Sequence, residues 1–582
     1  MKFIICAQLF EELESISSRL EITQKLADFF NMLTAHELEI MCNLLVGQLH
    51  PIYVGTQFAI ADKMMIRAIA RHTGHSDATI QQDLAKVGDL GAVLASYHWQ
   101  PDGELSITAL YDQLCRLEQT RGEGSQDQKI ELLVQLFKQL HPDEAKFIVR
   151  IILGKLRLGF SDMTIIDALS WMLVGNKSLR TRIEDAYNRC ANLGHIAQII
   201  HARGIDALNT IDITVGTPIL PAAAERLPSA AEVIEKLGPC AAQPKLDGFR
   251  LQIHVDRTQQ PHLIHFYSRN LQDMSHMFPD LLHVFDTINV KTLICEGEAI
   301  SYDPHTGAFL PFQETAKRKR KHDIAETAHE IPLKLFLFDL LYYNGDSFLE
   351  KTHTERRATL IKIMRSAQSD IVQIIDEKKV STAAELETYF NAMIEMGLEG
   401  LVVKRPDTPY QPGKRNFNWI KLKRHAEGHL EDTIDCVILG YYAGQGKRAD
   451  FGIGALLVGV YNKQEDLFET IARIGTGPSD AEWRDIKKKC DAYAVTHKPT
   501  SVICTKELTP DVWVAPEIVC TIFADEITIS PMHSAGKTAS SPGYALRFPR
   551  FMGYRPDKSA VEATTTHEII ALYQDQYHAR SK

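Results

Sequence analysis

The sequence predicts a multidomain protein with an all-α N-terminal domain, a central α+β domain and a small C-terminal β-barrel. Its 582 residues exceed what one ordinary hydrophobic core accommodates. Apolar residues recur at three- and four-residue spacing up to about residue 210, and strand-like alternation dominates from there on. The segment "TVGTPILPAAAERLPSAAEV" separates the two patterns, and its prolines are typical of an extended linker. We therefore predict domains at 1–212, 213–428 and 429–582.

The helical periodicity of the first domain is clearest in "EAKFIVRIILGKLRLGF". Lys146 and Arg150 lie four residues apart there, so we expect them to share one helix face. Strand-like alternation is rare in this third of the chain, which favours a domain built of helices alone. Such helices can form a purely structural or oligomerisation bundle, or they can bind a macromolecule.

Strands dominate the central domain. The runs "FRLQIHV" and "TLICEGEAISY" alternate, "LKLFLFDLLYYNG" is an apolar run that ends in an Asn-Gly turn signal, and "EGLVVKR" and "NWIKLKR" follow. Helical patterns such as "THTERRATLIKIMRS" and "TAAELETYFNAMIEMG" interrupt these strands. The mixture predicts an α+β domain with mostly antiparallel strands.

The third domain begins after "RHAEGHLEDT" and carries short strand patterns such as "IDCVILGYYAG", "ALLVGVYN" and "LFETIARIG". Several short strands over about 120 residues predict a small barrel. The stretch "PMHSAGKTAS" imitates the end of a phosphate-binding loop, but Pro531 stands where that motif needs its first glycine. We therefore predict an ordinary loop there.

Composition indicates a globular protein, with 45% hydrophobic and 24% charged residues. The sequence has no run of about 18 or more apolar residues, and its N-terminal stretch lacks the features of a secretory signal. We therefore expect no membrane span, and a location in the cytosol or, in a eukaryotic host, the nucleus. Ten scattered cysteines, with no CxxC pair, predict reduced thiols rather than disulfides or a zinc site.

The net charge of −10 argues weakly against nonspecific nucleic-acid binding, but local charge matters more than the total. The stretch "GKRNFNWIKLKRH" holds five Lys and Arg residues and no acid, and "AKRKRKH" holds five in a row, Lys317 to Lys321. A solvated charge run is the simpler interpretation of each stretch.

The stretch "AAQPKLDGFRLQIHV" places Lys245 two residues before an Asp-Gly turn signal. An isolated lysine of this kind is usually a surface residue beside a hairpin. To act as a nucleophile it must lose a proton, which costs about 4.6 kcal/mol at pH 7 for a group with a pKa of about 10.4. A nearby cation, desolvation or both must offset that cost, and Arg250 stands five residues further on.

Carboxylates and further lysines follow at regular spacing. Glu296 and Glu298 are two residues apart on a predicted strand, so they share a face, and Glu399 opens "EGLVVK". Carboxylates of this kind suit Mg²⁺, which prefers oxygen ligands and neutralises phosphate charge. Lys421 and Lys423 also share a strand face, about 6.7 Å apart along the strand, and would suit a triphosphate. Each pair alone is more often a solvated strand face or edge.

The order of these segments along the chain carries more information than any one of them. The stretches "KLDGFR", "SRN", "CEGEAISYD", "LFLFDLLYYNG", "EGLVVK" and "NWIKLK" resemble the successive motifs of the covalent nucleotidyltransferases, specifically the ATP-dependent DNA ligases. Flanking stretches, including "FIVRIILGKLRLG" and "LRFPRFMGYRPDKSAVEATT", are similar to the archaeal and eukaryotic replicative ligases. The resemblance covers nearly the whole chain and implies a helical DNA-binding domain, an adenylation domain and an OB-fold barrel.

The resemblance also implies a reaction in three steps. Lys245 attacks the α-phosphate of ATP to give lysyl-AMP, AMP passes to the 5′-phosphate at a nick, and the 3′-hydroxyl then seals the strand and releases AMP. The implied cofactors are ATP and Mg²⁺ or Mn²⁺. The implied partner is nicked duplex DNA, which the helical domain grips mainly through phosphates and the minor groove, with the "AKRKRKH" loop near the backbone. A sliding clamp is a further partner by analogy, and the chain is expected to be a monomer.

The family's motif positions assign roles in the nucleotide site. Arg250 and Arg269 are expected to contact the phosphate and ribose, and Glu298 to hold the ribose or a metal. Phe338 is expected to stack on adenine, which is a use of an aromatic face. Glu399 is expected to bind the metal.

Further positions are assigned to the phosphates. Lys421 and Lys423 are expected to bind the α-phosphate. In the barrel, "RPDK" resembles the family's last motif, so Arg555 and Lys558 are expected to close onto the pyrophosphate during the first step only. A hinge at residues 423–428 would permit that swing.

Gln243 departs from the family pattern. Many relatives carry a glutamate at this position, which accepts a hydrogen bond from the adenine amino group. A glutamine carbonyl accepts the same bond but lacks the charge. The preference for ATP over another nucleotide is therefore an open point of the resemblance.

Two other classes share some of these features. An mRNA-capping guanylyltransferase or an RNA ligase has the lysine motif and the barrel, but such chains usually lack a helical N-terminal third of this kind. A noncatalytic nucleic-acid-binding relative is the second alternative, and the presence of every motif residue speaks against it.

Overall fold

The computed structural model covers the whole chain in two compact units, Met1–Leu422 and Lys423–Lys582. It describes the following residues: 1–16, 18–156, 158, 161–227, 229–304, 306–310, 314–315, 318, 330–365, 369–423, 433–444, 452–538, 541–556 and 558–578. The predicted fold class is confirmed, since a helical N-terminal region, a central α+β region and a C-terminal β-rich region follow one another along the chain.

The N-terminal region is helical throughout its described part. Its α-helices are α1 Phe3–Ser15, α2 Arg19–Asn31, α3 Ala35–Leu44, α4 Asp62–Thr73, α5 Asp77–Val87, α6 Leu90–Ala95, α7 Ile107–Gln119, α8 Ser125–Gln139, α9 Pro142–Ile152, α10 Asp162–Val174, α11 Arg180–Arg189 and α12 Leu193–Arg203, followed by a 3₁₀ helix at Ile205–Thr210. Local signals start several of them. Thr34 and Glu37 form a reciprocal capping box at α3, and Pro142 occupies the first turn of α9.

Helix α9 shows how the helical core is held. Phe147 is fully buried against Phe10 of α1, with ring centroids 5.2 Å apart in an edge-to-face arrangement. Lys146 and Arg150 share a face of α9 as predicted, and both pair with Glu14 of α1, at 3.3 and 2.5 Å. These two cations therefore connect α9 to α1 at the surface of the helical domain.

The central region alternates strands and helices. Its elements are β1 Ala223–Arg226, α13 Ala230–Leu237, β2 Cys240–Lys245, β3 Phe249–Asp256, β4 Leu263–Ser268, α14 Pro279–Thr287, β5 Thr292–Ser301, β6 Leu333–Tyr343, β7 Asp346–Ser347, α15 His353–Met364, β8 Val372–Ile374, β9 Lys378–Val380, α16 Ala383–Glu395, β10 Gly400–Lys404 and β11 Arg415–Lys423. Most strand pairs are antiparallel as predicted, with parallel pairing of β1 to β11 and of β6 to β8.

These strands form two sheets, and the chain crosses between them immediately after Lys245. One sheet has the order β1-β11-β10-β2-β9, and the other has the order β4-β3-β5-β6-β7 with β8 paired to β6. Strand β2 lies in the first sheet and β3 in the second, so the hairpin interpretation of the Lys-x-Asp-Gly stretch is wrong. Gly248 permits the crossing, because a Cβ at this position would lie 2.3 Å from the carbonyl oxygen of Ala299.

The C-terminal unit is β-rich. Its elements are β12 Ile434–Tyr442, β13 Ala455–Asn462, β14 Leu467–Ile474, α17 Asp480–Ala492, β15 Ala494–Val495, β16 Val502–Ile503, β17 Val512–Val514, β18 Val519–Phe523, β19 Glu526–Ser530, β20 Gly543–Arg547, β21 Arg550–Tyr554 and α18 Thr566–His578. Strands β12, β13 and β14 pair in order, β12 also pairs with β17 and β18, and β18 pairs with β21. Ala535 and Gly536 form a turn that the Lys537 N–H closes onto the Ser534 carbonyl, so the loop predicted there is confirmed.

Helices α17 and α18 are missing from the sequence prediction. A signal for α17 was present, because Ser479 and Glu482 form a capping box at its start. Trp483 and Ile486 follow at helical spacing and are each 1% exposed. The three consecutive lysines of α17 obscured this short buried face.

The run Lys317–Lys321 is described at one position. Arg318 is 2% exposed, and both of its terminal nitrogens bind the carboxylate of Asp280, at 3.0 and 2.9 Å. The solvated interpretation of this run is therefore wrong for Arg318, since a bidentate pair lets a guanidinium be buried. The rest of the run lies outside the described residues.

All ten cysteines are free thiols, as predicted. Within the described part of the chain, no helix is both long enough and apolar enough to cross a membrane.

Candidate active site

A cavity of about 470 Å³ opens in the first compact unit. The strands β2, β3, β6, β10 and β11 and the loop after β4 contribute to its walls. The structure brings together here most of the site residues predicted from the sequence: Gln243, Lys245, Arg250, Arg269, Glu298, Phe338 and Lys421. Lys404 and Trp419, which were not predicted as site residues, also line it.

Lys245 is the last residue of β2, at the point where the chain leaves its sheet. In the antiparallel pair of β2 with β10 it lies opposite Gly400, and the Glu399 N–H donates to the Lys245 carbonyl at 3.2 Å. This register brings the Glu399 carboxylate to the Lys245 ammonium, and the two side chains form an ion pair. The pair holds the Lys245 amine beside the Glu399 carboxylate.

Glu298 lies on β5, directly opposite Arg250 of β3. Burial raises the pKa of Glu298 to about 7, against the opposing charges of Lys245 and Arg250 and a hydrogen bond from the Gly248 N–H. The ionisation of Glu298 near pH 7 therefore depends on the neighbouring cations.

Both terminal nitrogens of Arg250 are held by protein groups. One Nη donates to the Ala222 carbonyl at 2.8 Å and the other to the Glu296 carboxylate at 2.8 Å. Glu296 is fully buried and also accepts from the Tyr410 hydroxyl at 2.9 Å. The two glutamates of the "CEGEA" stretch therefore differ in role, since Glu296 fixes Arg250 and Glu298 faces the cavity. The contacts of Arg250 with phosphate and ribose stay a prediction.

The aromatic wall of the cavity is built from two strands. The Phe338 ring of β6 and the Trp419 ring of β11 meet edge to face, with centroids 6.2 Å apart. Lys404 Nζ lies 4.1 Å from the Trp419 centroid and 4.9 Å from that of Phe338. Burial lowers the pKa of Lys404 to about 8, although the charge of Asp339 opposes this. Trp419 could have been found from the sequence, because it is two residues from Lys421 and so shares its strand face.

The remaining predicted residues occupy the periphery of this site. Arg269 is exposed on the loop after β4, and Lys421 is half-buried on β11. Lys423 ends β11, and its side chain is outside the described residues. The predicted hinge extends into residues 424–428, which the structure does not describe.

The donor set at Lys245 fits a magnesium ion that is bound together with a phosphate substrate. No group of three or more His, Cys, Asp or Glu side chains in the described part of the chain forms a preformed metal cage. Glu298 and Glu399 supply two carboxylates beside Lys245. Mg²⁺ commonly takes one or two protein carboxylates and completes its shell with substrate phosphates and water.

Arg555 and Lys558 lie in the second unit and share one carboxylate there. Arg555 Nη1 and Lys558 Nζ lie 3.0 and 2.7 Å from Asp435 Oδ2. Burial would raise the pKa of Asp435, but hydrogen bonds from Lys558 and Thr521 and the two positive charges lower it overall. Asp435 was not predicted as a site residue, and no local signal pointed to it, because its partners are far along the chain.

Three family models match the chain. "DNA ligase N terminus" matches residues 2–170, "ATP dependent DNA ligase domain" matches residues 221–423, and "ATP dependent DNA ligase C terminal region" matches residues 449–558.

Curated relatives align over nearly their full length. A "Probable DNA ligase" from Dictyoglomus turgidum is 44% identical over 580 residues, which cover 99% of this chain and 98% of the relative. "DNA ligase 1" from Methanosarcina acetivorans is 36% identical over 582 residues, with 98% and 99% covered. A solved structure described as Pmar-Lig_PreS3 has a TM-score of 0.55 at 17% identity and covers 94% of this chain and 99% of its own, which shows a similar fold.

Proposed function

This chain belongs to the family of ATP-dependent DNA ligases, and we propose that Lys245 is the residue that carries adenylate during nick sealing. The observation that carries this proposal is the position of Lys245. It ends a strand on the wall of a nucleotide-sized cavity, paired with Glu399 and close to Glu298, with the aromatic ring of Phe338 in the same cavity.

In the first step the free amine of Lys245 attacks the α-phosphorus of ATP. A nitrogen–phosphorus bond forms, the bond from that phosphorus to the β-phosphate oxygen breaks, and pyrophosphate leaves with the electron pair. Glu298 and Glu399 would hold Mg²⁺, which neutralises phosphate charge when bound.

The next two steps use the DNA. The 5′-phosphate at the nick attacks the lysyl-AMP phosphorus and releases the Lys245 amine. The 3′-hydroxyl then attacks the activated 5′-phosphate, which forms the phosphodiester bond and frees AMP. We assign Arg250, Arg269, Lys421 and Lys423 to the nucleotide phosphates and ribose, because fixed cations stabilise the negative charge that develops at phosphorus.

We propose that the helical domain, residues 1–212, grips the duplex on both sides of the nick through phosphate contacts, and that 213–428 and 429–582 are the adenylation and OB-fold domains. Phosphate contacts suit an enzyme that cannot choose a sequence. We further propose that the enzyme works as a monomer, with a sliding clamp as a protein partner.

Sealing assays on a panel of nicks test the activity and its substrate range. Nicked duplexes with DNA or RNA on each side of the nick would be incubated with Mg²⁺ and one of several nucleoside triphosphates. We expect sealing of DNA–DNA nicks with ATP and with no other nucleotide at a comparable rate. Sealing confined to RNA strands, or equal use of GTP, would contradict the assignment.

We predict that Phe338→Leu weakens ATP binding about tenfold, because stacking of a base on an aromatic ring contributes about 1–3 kcal/mol. The measurement is the dependence of the self-adenylation rate on ATP concentration. Phe336→Leu is the matched control, since Phe336 lies two residues earlier on β6 and does not line the cavity. Equal losses in the two variants would indicate damage to β6 rather than loss of a base contact.

We predict that Arg555→Ala lowers the rate of self-adenylation about a hundredfold, the usual effect of removing one donor to a developing charge. Sealing of pre-adenylated nicks should fall far less, because no pyrophosphate leaves in that reaction. The same pattern is expected for Lys558→Ala, and Lys463→Ala, at an exposed lysine of the same unit, is the control. Equal losses in both reactions would count against a role confined to the first step.

A further inference from the structure

Gln243, which is buried, and Glu377, which is partly buried, form a hydrogen-bonded pair at the edge of the cavity. Gln243 lies on β2 two residues before Lys245, and Glu377 precedes β9, the strand that pairs with β2. Gln243 Nε2 donates to Glu377 Oε2 at 2.8 Å. Gln243 is 2% exposed and lines the cavity, and the Glu377 side chain is 9% exposed.

Two further groups fix the Glu377 carboxylate. His353 Nε2 lies 2.8 Å from Oε2, and Arg357 Nε lies 3.3 Å from Oε1. His353 Nδ1 is buried without a hydrogen-bond partner in the described part of the chain, which fits a neutral ring that carries its proton on Nε2. Burial would raise the pKa of Glu377, but the hydrogen bonds from His353 and Gln243 and the Arg357 charge lower it overall. Glu377 is therefore a carboxylate that accepts and does not donate.

This carboxylate determines which way the Gln243 amide faces. An ionised carboxylate offers only acceptors, so the amide must turn its NH₂ group toward Glu377. The Gln243 carbonyl oxygen is the remaining polar atom of the side chain, and it has no hydrogen-bond donor among the described residues. In a cavity that Gln243 itself lines, this oxygen is available to a ligand as an acceptor.

We propose that Glu377 is a positioning residue for nucleotide selection: it locks the Gln243 amide so that the cavity accepts a purine with an amino donor at position 6. The inference rests on the proposed function, in which the ATP base stacks on Phe338 in this cavity. A base with an oxo group at position 6 would set one acceptor against another and leave both unsatisfied. The selection of ATP then comes from an amide whose orientation a charged neighbour fixes.

The neutral variant Glu377→Gln tests this orientation. A glutamine at 377 offers both a donor and an acceptor, so Gln243 can face either way and can donate to a 6-oxo base. We expect Glu377→Gln to keep self-adenylation with ATP and to lower the ATP-to-ITP ratio of kcat/KM about tenfold, the effect of one hydrogen bond. The readout is covalent label on the protein with each nucleotide.

Exchanging the two residues gives a second test, because a merely structural role for Glu377 would not predict recovery in the double variant. Gln243→Glu alone sets two carboxylates against each other and should weaken labelling with ATP. The double variant Gln243→Glu with Glu377→Gln restores one donor and one acceptor, so it should recover both ATP labelling and the selectivity against ITP. Asp376→Asn, at an exposed carboxylate one residue away, is the matched control and should leave the ratio unchanged.

The outcomes distinguish failure of the Glu377 role from failure of the proposed function. An unchanged ATP-to-ITP ratio in labelled Glu377→Gln protein, or no recovery in the exchanged pair, overturns the role of Glu377 and leaves Lys245 as the adenylate carrier. Absence of covalent label on the unaltered protein overturns the proposed function and this inference together.

Discussion

Lys245→Ala should abolish the covalent labelling that the unaltered protein shows with α-labelled ATP and Mg²⁺. The expected loss is at least about a thousandfold, because no other group can replace a nucleophile that forms the intermediate itself. The label on the unaltered protein should be stable to alkali and labile to acid, because protonation of a phosphoramidate nitrogen breaks its bond to phosphorus, and acidic hydroxylamine should also release it. Gel separation of labelled protein measures both properties.

Two controls show whether the loss of label is specific to Lys245. Lys379→Ala removes an exposed lysine from the same sheet and should label normally. Sealing of a pre-adenylated nick should fall much less than labelling in the Lys245→Ala protein, because that substrate already carries its AMP. Label that persists on the Lys245→Ala protein would show that another side chain carries the adenylate.

The sequence predicted much of this site because several chemical requirements recur in a fixed order along the chain. Lys245, Glu298 and Phe338 each stand in a short motif, and strand alternation alone indicated which neighbours share a face. The sequence did not predict which strands pair. Nothing local shows that β2 and β3 lie in different sheets, because the Lys-x-Asp-Gly stretch of a sheet crossing looks like that of a hairpin.

The sequence also did not identify polar partners that lie far apart along the chain. Glu377 lies 134 positions from Gln243, and Asp435 lies 123 positions from Lys558. Such pairs exist because a buried charge requires a partner, and tertiary structure alone determines which residue provides it. The sequence therefore predicted the groups that line the cavity more readily than the partners that hold those groups in place.

Asp339 is the clearest of these orienting groups. It follows Phe338 on β6, is 1% exposed, and accepts from Arg356 Nε at 2.6 Å and Nη2 at 3.2 Å. Lys404 Nζ lies 3.5 Å from Asp339 Oδ2, the oxygen that also accepts from Arg356 Nη2. Arg356 is fully buried and Lys404 is 1% exposed, so one carboxylate pairs with two buried cations beside the aromatic wall.

We therefore predict that Asp339→Asn destabilises the full chain by about 3–5 kcal/mol, the usual cost of removing one partner from a buried ionic group. Burial would raise the pKa of Asp339, but the charges of Arg356 and Lys404 hold it well below its ordinary value. Because the folded-state pKa is the lower one, this stabilisation is complete above about pH 4, the unfolded-state value, and is lost as the pH falls through the folded-state value. Urea unfolding at pH 7 measures the difference, with Asp346→Asn, at an exposed position of β7, as the control. A loss below about 1 kcal/mol would mean that Arg356 and Lys404 do not depend on this carboxylate for their burial.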